Sequence, residues 1–136
     1  MSSILIVEDE IFVAGDIERV LEEAGHDVVG VAADRKEALA AAPRAKIAFV
    51  DVNLRDGRTG PQVAYDLSKE FGIRVVYVTA NPTQIDPIAP GAIGYIRKPF
   101  SEDALVAVAN YTAGKTSDLN SPEIILFSDE SGSTTF

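Results

Sequence analysis

The sequence predicts an α/β fold built on a doubly wound parallel sheet of five strands in the order 2-1-3-4-5, and three observations carry that expectation. Strand-like and helix-like segments alternate through the first 114 residues, the pattern of a sheet covered on both faces. Five short runs are almost continuously apolar, as parallel strands buried on both sides require. The connections are long enough for right-handed crossovers, and 2-1-3-4-5 is a common order for such a sheet.

The strand runs are Ile4–Val7, Val28–Ala32, Ile47–Val50, Val75–Val78 and Ile93–Ile96. Helix 1 runs from Ile11 to Ala24. It puts Ala14, Ile17, Leu21 and Ala24 on one face, with Asp16, Glu18, Arg19, Glu22 and Glu23 opposite and Gly25 as a stop. Asp34 caps a short second helix through Ala42, ended near Pro43. Pro61 suits the first turn of a third helix carrying Val63, Ala64 and Leu67. Ser101, with Glu102 and Asp103 in the first turn, caps the helix after the fifth strand, which carries Leu105, Val108, Ala109 and Thr112 to Gly114. Between strands 4 and 5, Pro82, Pro87 and Pro90 argue against a regular helix, because each interior proline removes a backbone donor and costs about 3 kcal/mol. Helix 4 of this topology is therefore expected to be short or irregular, and mobile.

The expected organisation is one domain over 1–114 and a C-terminal extension over 115–136. Within the extension 123–127, with Ile124-Ile125-Leu126-Phe127, is too apolar to stay in water. It is expected to dock as an edge strand or on a helix and to stay protected whatever the state of the rest of the molecule. The remainder, Ser128 to Phe136 above all, has the composition of a flexible tail.

Twelve basic against twenty-one acidic residues give a net charge of −9, which disfavours nucleic-acid binding, and no DNA-binding output domain is expected within these 136 residues. With no cysteine there is neither a disulfide framework nor a thiolate metal site. No apolar run approaches the ~18 residues of a membrane span, and the N-terminus lacks the basic region of a signal peptide. The expectation is a cytoplasmic protein that does not engage membranes.

The chemistry gathers at the strand ends. Glu8 and Asp9 follow strand 1, Asp51 follows strand 3, Thr79 follows strand 4 and Lys98 lies just past strand 5. In the order 2-1-3-4-5 the switch point falls between strands 1 and 3, where such sheets bind ligands. Three carboxylates in one crevice repel each other unless a cation joins them. Mg²⁺ suits Asp9, Asp51, with Glu8 nearby, one backbone carbonyl such as that of Asn53, and a phosphate oxygen. Asp51 would then accept a phosphoryl group, with Lys98 and the Thr79 hydroxyl meeting its oxygens. Taken singly, Thr79 is an ordinary strand-end hydroxyl, and Lys98 and Tyr95 are ordinary surface or half-buried side chains. Glu10, Asp56 and Glu22 read as solvated charges and His26 as structural or exposed.

The motifs Val7-Glu8-Asp9-Glu10, Asp51-Val52-Asn53-Leu54 with Asp56-Gly57 and Gly60, Val78-Thr79-Ala80, and Gly94-Tyr95-Ile96-Arg97-Lys98-Pro99-Phe100 together resemble the receiver domain of bacterial two-component response regulators, from residue 3 to about 113. The resemblance implies phosphorylation of Asp51 by a histidine kinase or phosphotransfer protein. It also implies an acidic pair Glu8/Asp9, Thr79 and Lys98 against the phosphoryl group, Tyr95 as the switch aromatic and a cis bond between Lys98 and Pro99. It implies a signalling protein, monomeric or weakly dimeric, that accepts the group on itself and removes it again rather than turning over a substrate. Its output would be contact with a downstream protein, or drainage of a shared kinase as a phosphate sink. Glu8 where Asp is commoner, the proline-rich 82–90 and the tail depart from the family pattern and resemble an atypical single-domain subgroup.

Two other functions fit the same sheet less well. A flavodoxin-like cofactor binder needs a hydroxyl- and glycine-rich cradle after strand 1, and Glu8-Asp9-Glu10 repels a flavin phosphate. An aspartate-nucleophile, Mg²⁺-dependent phosphohydrolase usually carries a second carboxylate two residues after the nucleophile. Here that residue is Asn53, which cannot shuttle protons.

Overall fold

The computed structural model describes residues 2–117, 119 and 121–127, so the expected flexible stretch 128–136 lies outside the described residues. Its elements are β1 Ser3–Val7, α1 Ile11–Glu23, β2 Asp27–Ala32, α2 Arg35–Ala41, β3 Ile47–Asp51, α3 Gly60–Phe71, β4 Arg74–Thr79, β5 Ala92–Arg97, α4 Glu102–Thr112 and β6 Ile124–Leu126. The sheet order is β2-β1-β3-β4-β5-β6. The first five strands are parallel in the order expected. The sheet has six strands rather than five, because β6 adds antiparallel to the outside of β5.

Burial grades across the sheet. Ile4 to Val7, Ile47 to Val50 and Val75 to Val78 are almost wholly buried, as central parallel strands are. β2 forms one edge and is only half covered, with Val31 exposed. One face packs α1 and α4 through Ile17, Leu21, Phe49, Leu105 and Val108. The other packs α2 and α3 through Ala38, Val63, Leu67 and Tyr77.

The helix ends follow local chemistry. The Asp34 side chain accepts the Glu37 N–H at 2.9 Å and Ser101 Oγ accepts the Ala104 N–H at 3.1 Å, each satisfying an otherwise orphaned donor of the first turn. α2 ends at Ala41, one residue short of expectation, and Ala42–Arg44 tightens into a 3-10 turn around Pro43. α1 ends at Glu23, and Val20 joins its buried face where Ala24 was expected.

Between β4 and β5 the only helical piece is a 3-10 turn, Pro82–Gln84. The rest is irregular and holds a cis bond between Asp86 and Pro87. This segment buries Ile85 and Ala89 against the sheet, so the cover above β4 and β5 on this side comes without a regular helix.

Candidate functional site

Strand order alone brings the acidic residues together. Glu8 leaves β1 with its N–H still bonded to Ala32 O at 2.8 Å, and Asp51 is the last residue of β3. One carboxylate oxygen each from Glu8, Asp9 and Asp51 lies within 4.8 Å of the other two, with Glu8 and Asp51 buried and Asp9 exposed. Gly60 lets α3 start hard against this strand end: a Cβ there would sit 2.0 Å from Asp51 O and 2.6 Å from Val52 Cα.

Lys98 arrives from the far side of β4. Its N–H bonds Thr79 O at 2.9 Å, and the Lys98–Pro99 bond is cis. The ammonium lies 2.8 Å from Glu8 Oε1, 3.2 Å from Asp51 Oδ2 and 3.2 Å from Glu10 Oε1. Sequence reasoning missed Glu10. Its side chain is solvated, but it completes a ring of three carboxylates around one cation, and its N–H also donates to Glu8 Oε2 at 3.1 Å. Its place directly after Glu8-Asp9 was the available signal.

Thr79 is buried at the end of β4, and its Oγ accepts the Asn81 N–H at 3.0 Å, so the hydroxyl holds the start of the proline-rich segment. Asn53 donates its N–H to Asp51 Oδ1 at 3.3 Å and its side-chain amide to Gln84 at 3.2 Å. A cleft of about 370 Å³ opens on the group, lined by Asp9, Glu10, Asp51, Asn53, Ala80 and Lys98. Beside it Ile11 and Phe12 are exposed at the start of α1. Tyr95 is not brought to this crevice: it lies within β5 in register with Tyr77, half-buried on the α2–α3 side of the sheet. His26 is remote and buried, bonded through Nε2 to Asn110 Oδ1 at 2.8 Å.

The electrostatics are those of a site short of positive charge. Burial pushes the Glu8 carboxyl up to about 7, with Asp51 adding to the rise while Lys98 and the Glu10 N–H oppose it. Burial alone would lower Lys98, but Glu8, Asp51 and Glu10 outweigh it and hold the ammonium above its usual range. Glu8 Oε1 is buried without an aligned hydrogen-bond donor, its neighbour being the Lys98 ammonium. Three carboxylates offering oxygens this close together, with the Lys98 ammonium among them, fit a hard divalent cation such as Mg²⁺.

Comparison with known proteins agrees with this arrangement. Residues 4–110 match the family model of the response regulator receiver domain. The chain is 37% identical over 111 residues to the phyllosphere-induced regulator PhyR of Methylorubrum extorquens, covering 79% of this chain and 42% of that protein. It superposes on the receiver domain of Erythrobacter litoralis PhyR with a TM-score of 0.74 at 28% identity, covering 89% and 94% of the two chains. It also superposes on the anti-anti-sigma factor PhyR of Bartonella quintana with a TM-score of 0.71 at 29% identity, covering 84% and 48%. The chain thus spans about half the length of these PhyR proteins or less. No helix among the described residues is long and apolar enough to cross a membrane. With a 2-1-3-4-5 sheet, an acidic crevice at its switch point and a lysine reaching in from β5, the chain belongs to the response regulator receiver domains, the phosphoryl-accepting signalling modules of two-component systems.

Proposed function

We propose that Asp51 is the phosphoryl acceptor, supplied by a phosphohistidine on a histidine kinase or phosphotransfer protein in the cytoplasm. The observation that carries this is the placing of Asp51 Oδ2, 3.2 Å from the Lys98 ammonium and within reach of the Glu8 and Asp9 carboxylates, at the mouth of an open cleft. An Asp51 oxygen attacks phosphorus, the P–N bond to the donor imidazole breaks with its electron pair leaving on nitrogen, and an acyl phosphate forms on Asp51. Asp9, Asp51 and Glu8, with the Asn53 backbone carbonyl, would hold Mg²⁺, which when bound supplies positive charge for the phosphoryl oxygens. Lys98 exchanges its contact with Asp51 Oδ2 for a phosphoryl oxygen, and the Thr79 hydroxyl turns from Asn81 to donate to another.

Water later cleaves the acyl phosphate, so the chain is a timed switch and not a turnover enzyme. Exposed Ile11 and Phe12 beside the cleft give a protein donor apolar ground to dock on. Tyr95 couples the site to the surface through the loop that Thr79 holds. The output is contact with a downstream protein, or removal of phosphate from a shared kinase. Acetyl phosphate with Mg²⁺ should add one phosphoryl group to the parent chain and none to Asp51→Asn, read by intact mass. Equal incorporation by both would overturn Asp51 as the acceptor.

A further inference from the structure

β6 is fitted to the β5 edge by four separate contacts. Gly94 faces it so closely that a Cβ there would meet Ile125 O at 2.1 Å, so the strand edge has a notch only glycine leaves open. The Glu123 carboxylate accepts the Ser101 N–H at 3.0 Å and the Ser101 hydroxyl at 2.8 Å, at the start of α4. Ile124 enters the core beneath α1 and α4. Phe127, whose N–H bonds Ile93 O at 2.9 Å, crosses to the opposite face and packs its ring 6.2 Å from Tyr77 and 6.0 Å from Tyr95.

That opposite face is the ground above β4 and β5 that the proline-rich segment covers with Ile85 and Ala89 and without a regular helix. Tyr77 and Tyr95 are cross-strand neighbours there, and the Tyr77 hydroxyl accepts the Ala89 N–H at 3.0 Å. Tyr77 is thus shared: Phe127 packs on its ring and the segment that Thr79 holds through Asn81 bonds its hydroxyl at Ala89, with Ile85 and Ala89 in the same core cluster.

We propose that residues 121–127 are a strap whose docking opposes phosphoryl acceptance: phosphorylation of Asp51 loosens the strap, and the docked strap disfavours the phosphorylated state. This rests on Asp51 being the acceptor. When the Thr79 hydroxyl turns to the phosphoryl group, the Asn81 N–H loses its acceptor and the segment from Asn81 to Gly91 repacks over Tyr77 and Tyr95. Tyr95 forms one wall of the Phe127 site, so its movement removes a main apolar anchor of the strap. What is left is a three-residue strand anchored by Ile124 and by the exposed Glu123–Ser101 contact, with Ile125 and Leu126 exposed, and so short a strand is held more weakly. Protection of this run would then depend on the state of the site, whereas its apolar composition predicts protection in both states.

The test uses the full chain with Mg²⁺, with and without acetyl phosphate, following amide exchange of the 121–127 peptide and the label on Asp51. Label with exchange at 121–127 accelerated by about tenfold or more supports the strap, a coupling of ordinary size for two linked sites. Label with unchanged exchange overturns it while leaving Asp51 as acceptor. Absence of label overturns the acceptor assignment and the strap's coupling with it. In the reverse direction, Phe127→Ala and Gly94→Val should loosen 121–127 and raise the fraction labelled at limiting acetyl phosphate about fivefold or more. If either folded variant exchanges faster at 121–127 yet labels like the parent, the coupling is wrong and the strap is only structural. Should Gly94→Val fail to fold, Phe127→Ala decides.

Discussion

At the carboxyl ends of β1 and β3, carboxylates of Glu8, Glu10 and Asp51 crowd one ammonium; two strands away, at the β5–β6 edge, three aromatic rings cover ground where a helix is missing. The first region is poor in stability and rich in chemistry, since buried like charges are held in place by the fold around them. The second has no chemistry of its own but is assembled from parts far apart in sequence, Tyr77, Tyr95, Ala89 and Phe127. The difference separates what makes a reaction possible from what can report that it happened. The two are joined by the short path from Thr79 through Asn81 to the segment ending at Gly91.

The largest effect should come from removing the cation of the first region. Lys98→Ala takes away the ammonium 3.2 Å from Asp51 Oδ2 and leaves the buried Glu8 and Asp51 carboxylates without it. Initial labelling by acetyl phosphate should fall about 10²-fold, the usual loss when a preorganised charge is removed. A loss under about threefold would mean that the lysine is not part of the transfer machinery.

Next in size is the cost of Glu8. Its folded value of about 7 lies above the ordinary 4.5, so the folded chain binds this proton more tightly than the unfolded one. Its contribution is fully present below about 4.5 and is lost as pH rises through about 7; the Lys98 shift lies above its ordinary range and leaves this window untouched. Without metal, urea midpoints at pH 5.5 and pH 8 should differ by a stability on the order of 2 kcal/mol. Glu8→Gln should flatten that difference. A parent profile already flat across this window would show that Glu8 is ionised at no cost.

At the second region Tyr77→Phe removes only a hydroxyl, yet it strands the buried Ala89 N–H that now donates to it. A loss of about 1–2 kcal/mol is expected in chemical denaturation, with faster exchange from Asn81 to Gly91. Burial pushes the Tyr77 phenol up, so the group stays a neutral partner for that N–H throughout the neutral range. An unchanged midpoint would mean that water replaces the hydroxyl and that the proline-rich segment is not tied to β4.

The first region was legible because its signals are local. Apolar runs ending in Glu8, Asp51 and Thr79 fix where those residues stand once the strand order is known, and Ser101 and Asp34 announce their helices by the same short-range chemistry. Glu10 was read as a solvated charge, and only its place directly after Glu8-Asp9 pointed to the crevice; nothing in a solvated acid marks a lysine 88 residues away as its partner. The second region was half legible. The prolines excluded a regular helix between β4 and β5 and the apolar Ile124–Phe127 demanded cover. That Phe127 joins the cover above β4 and β5, and that Gly94 leaves room for Ile125, follows only from packing of distant segments.

The smallest expected effect lies at the contact tying the edge to the stretch after Lys98. Glu123 closes the N-terminus of α4 by accepting from both the N–H and the hydroxyl of Ser101, three residues past the site lysine. Glu123→Gln keeps the shape and one acceptor oxygen but gives up the charge, which favours a helix N-terminus by about 0.3–1 kcal/mol at an exposed position. Stability should drop by no more than about 1 kcal/mol, and by less at high salt, because the contact is exposed and screened. Exchange at 121–127 should rise modestly while Lys98 stays in place, so labelling should shift in the same direction as in Phe127→Ala but by less. Labelling slower than the parent's would place Glu123 with the crevice instead, supporting the Lys98 turn through Ser101 rather than the strap.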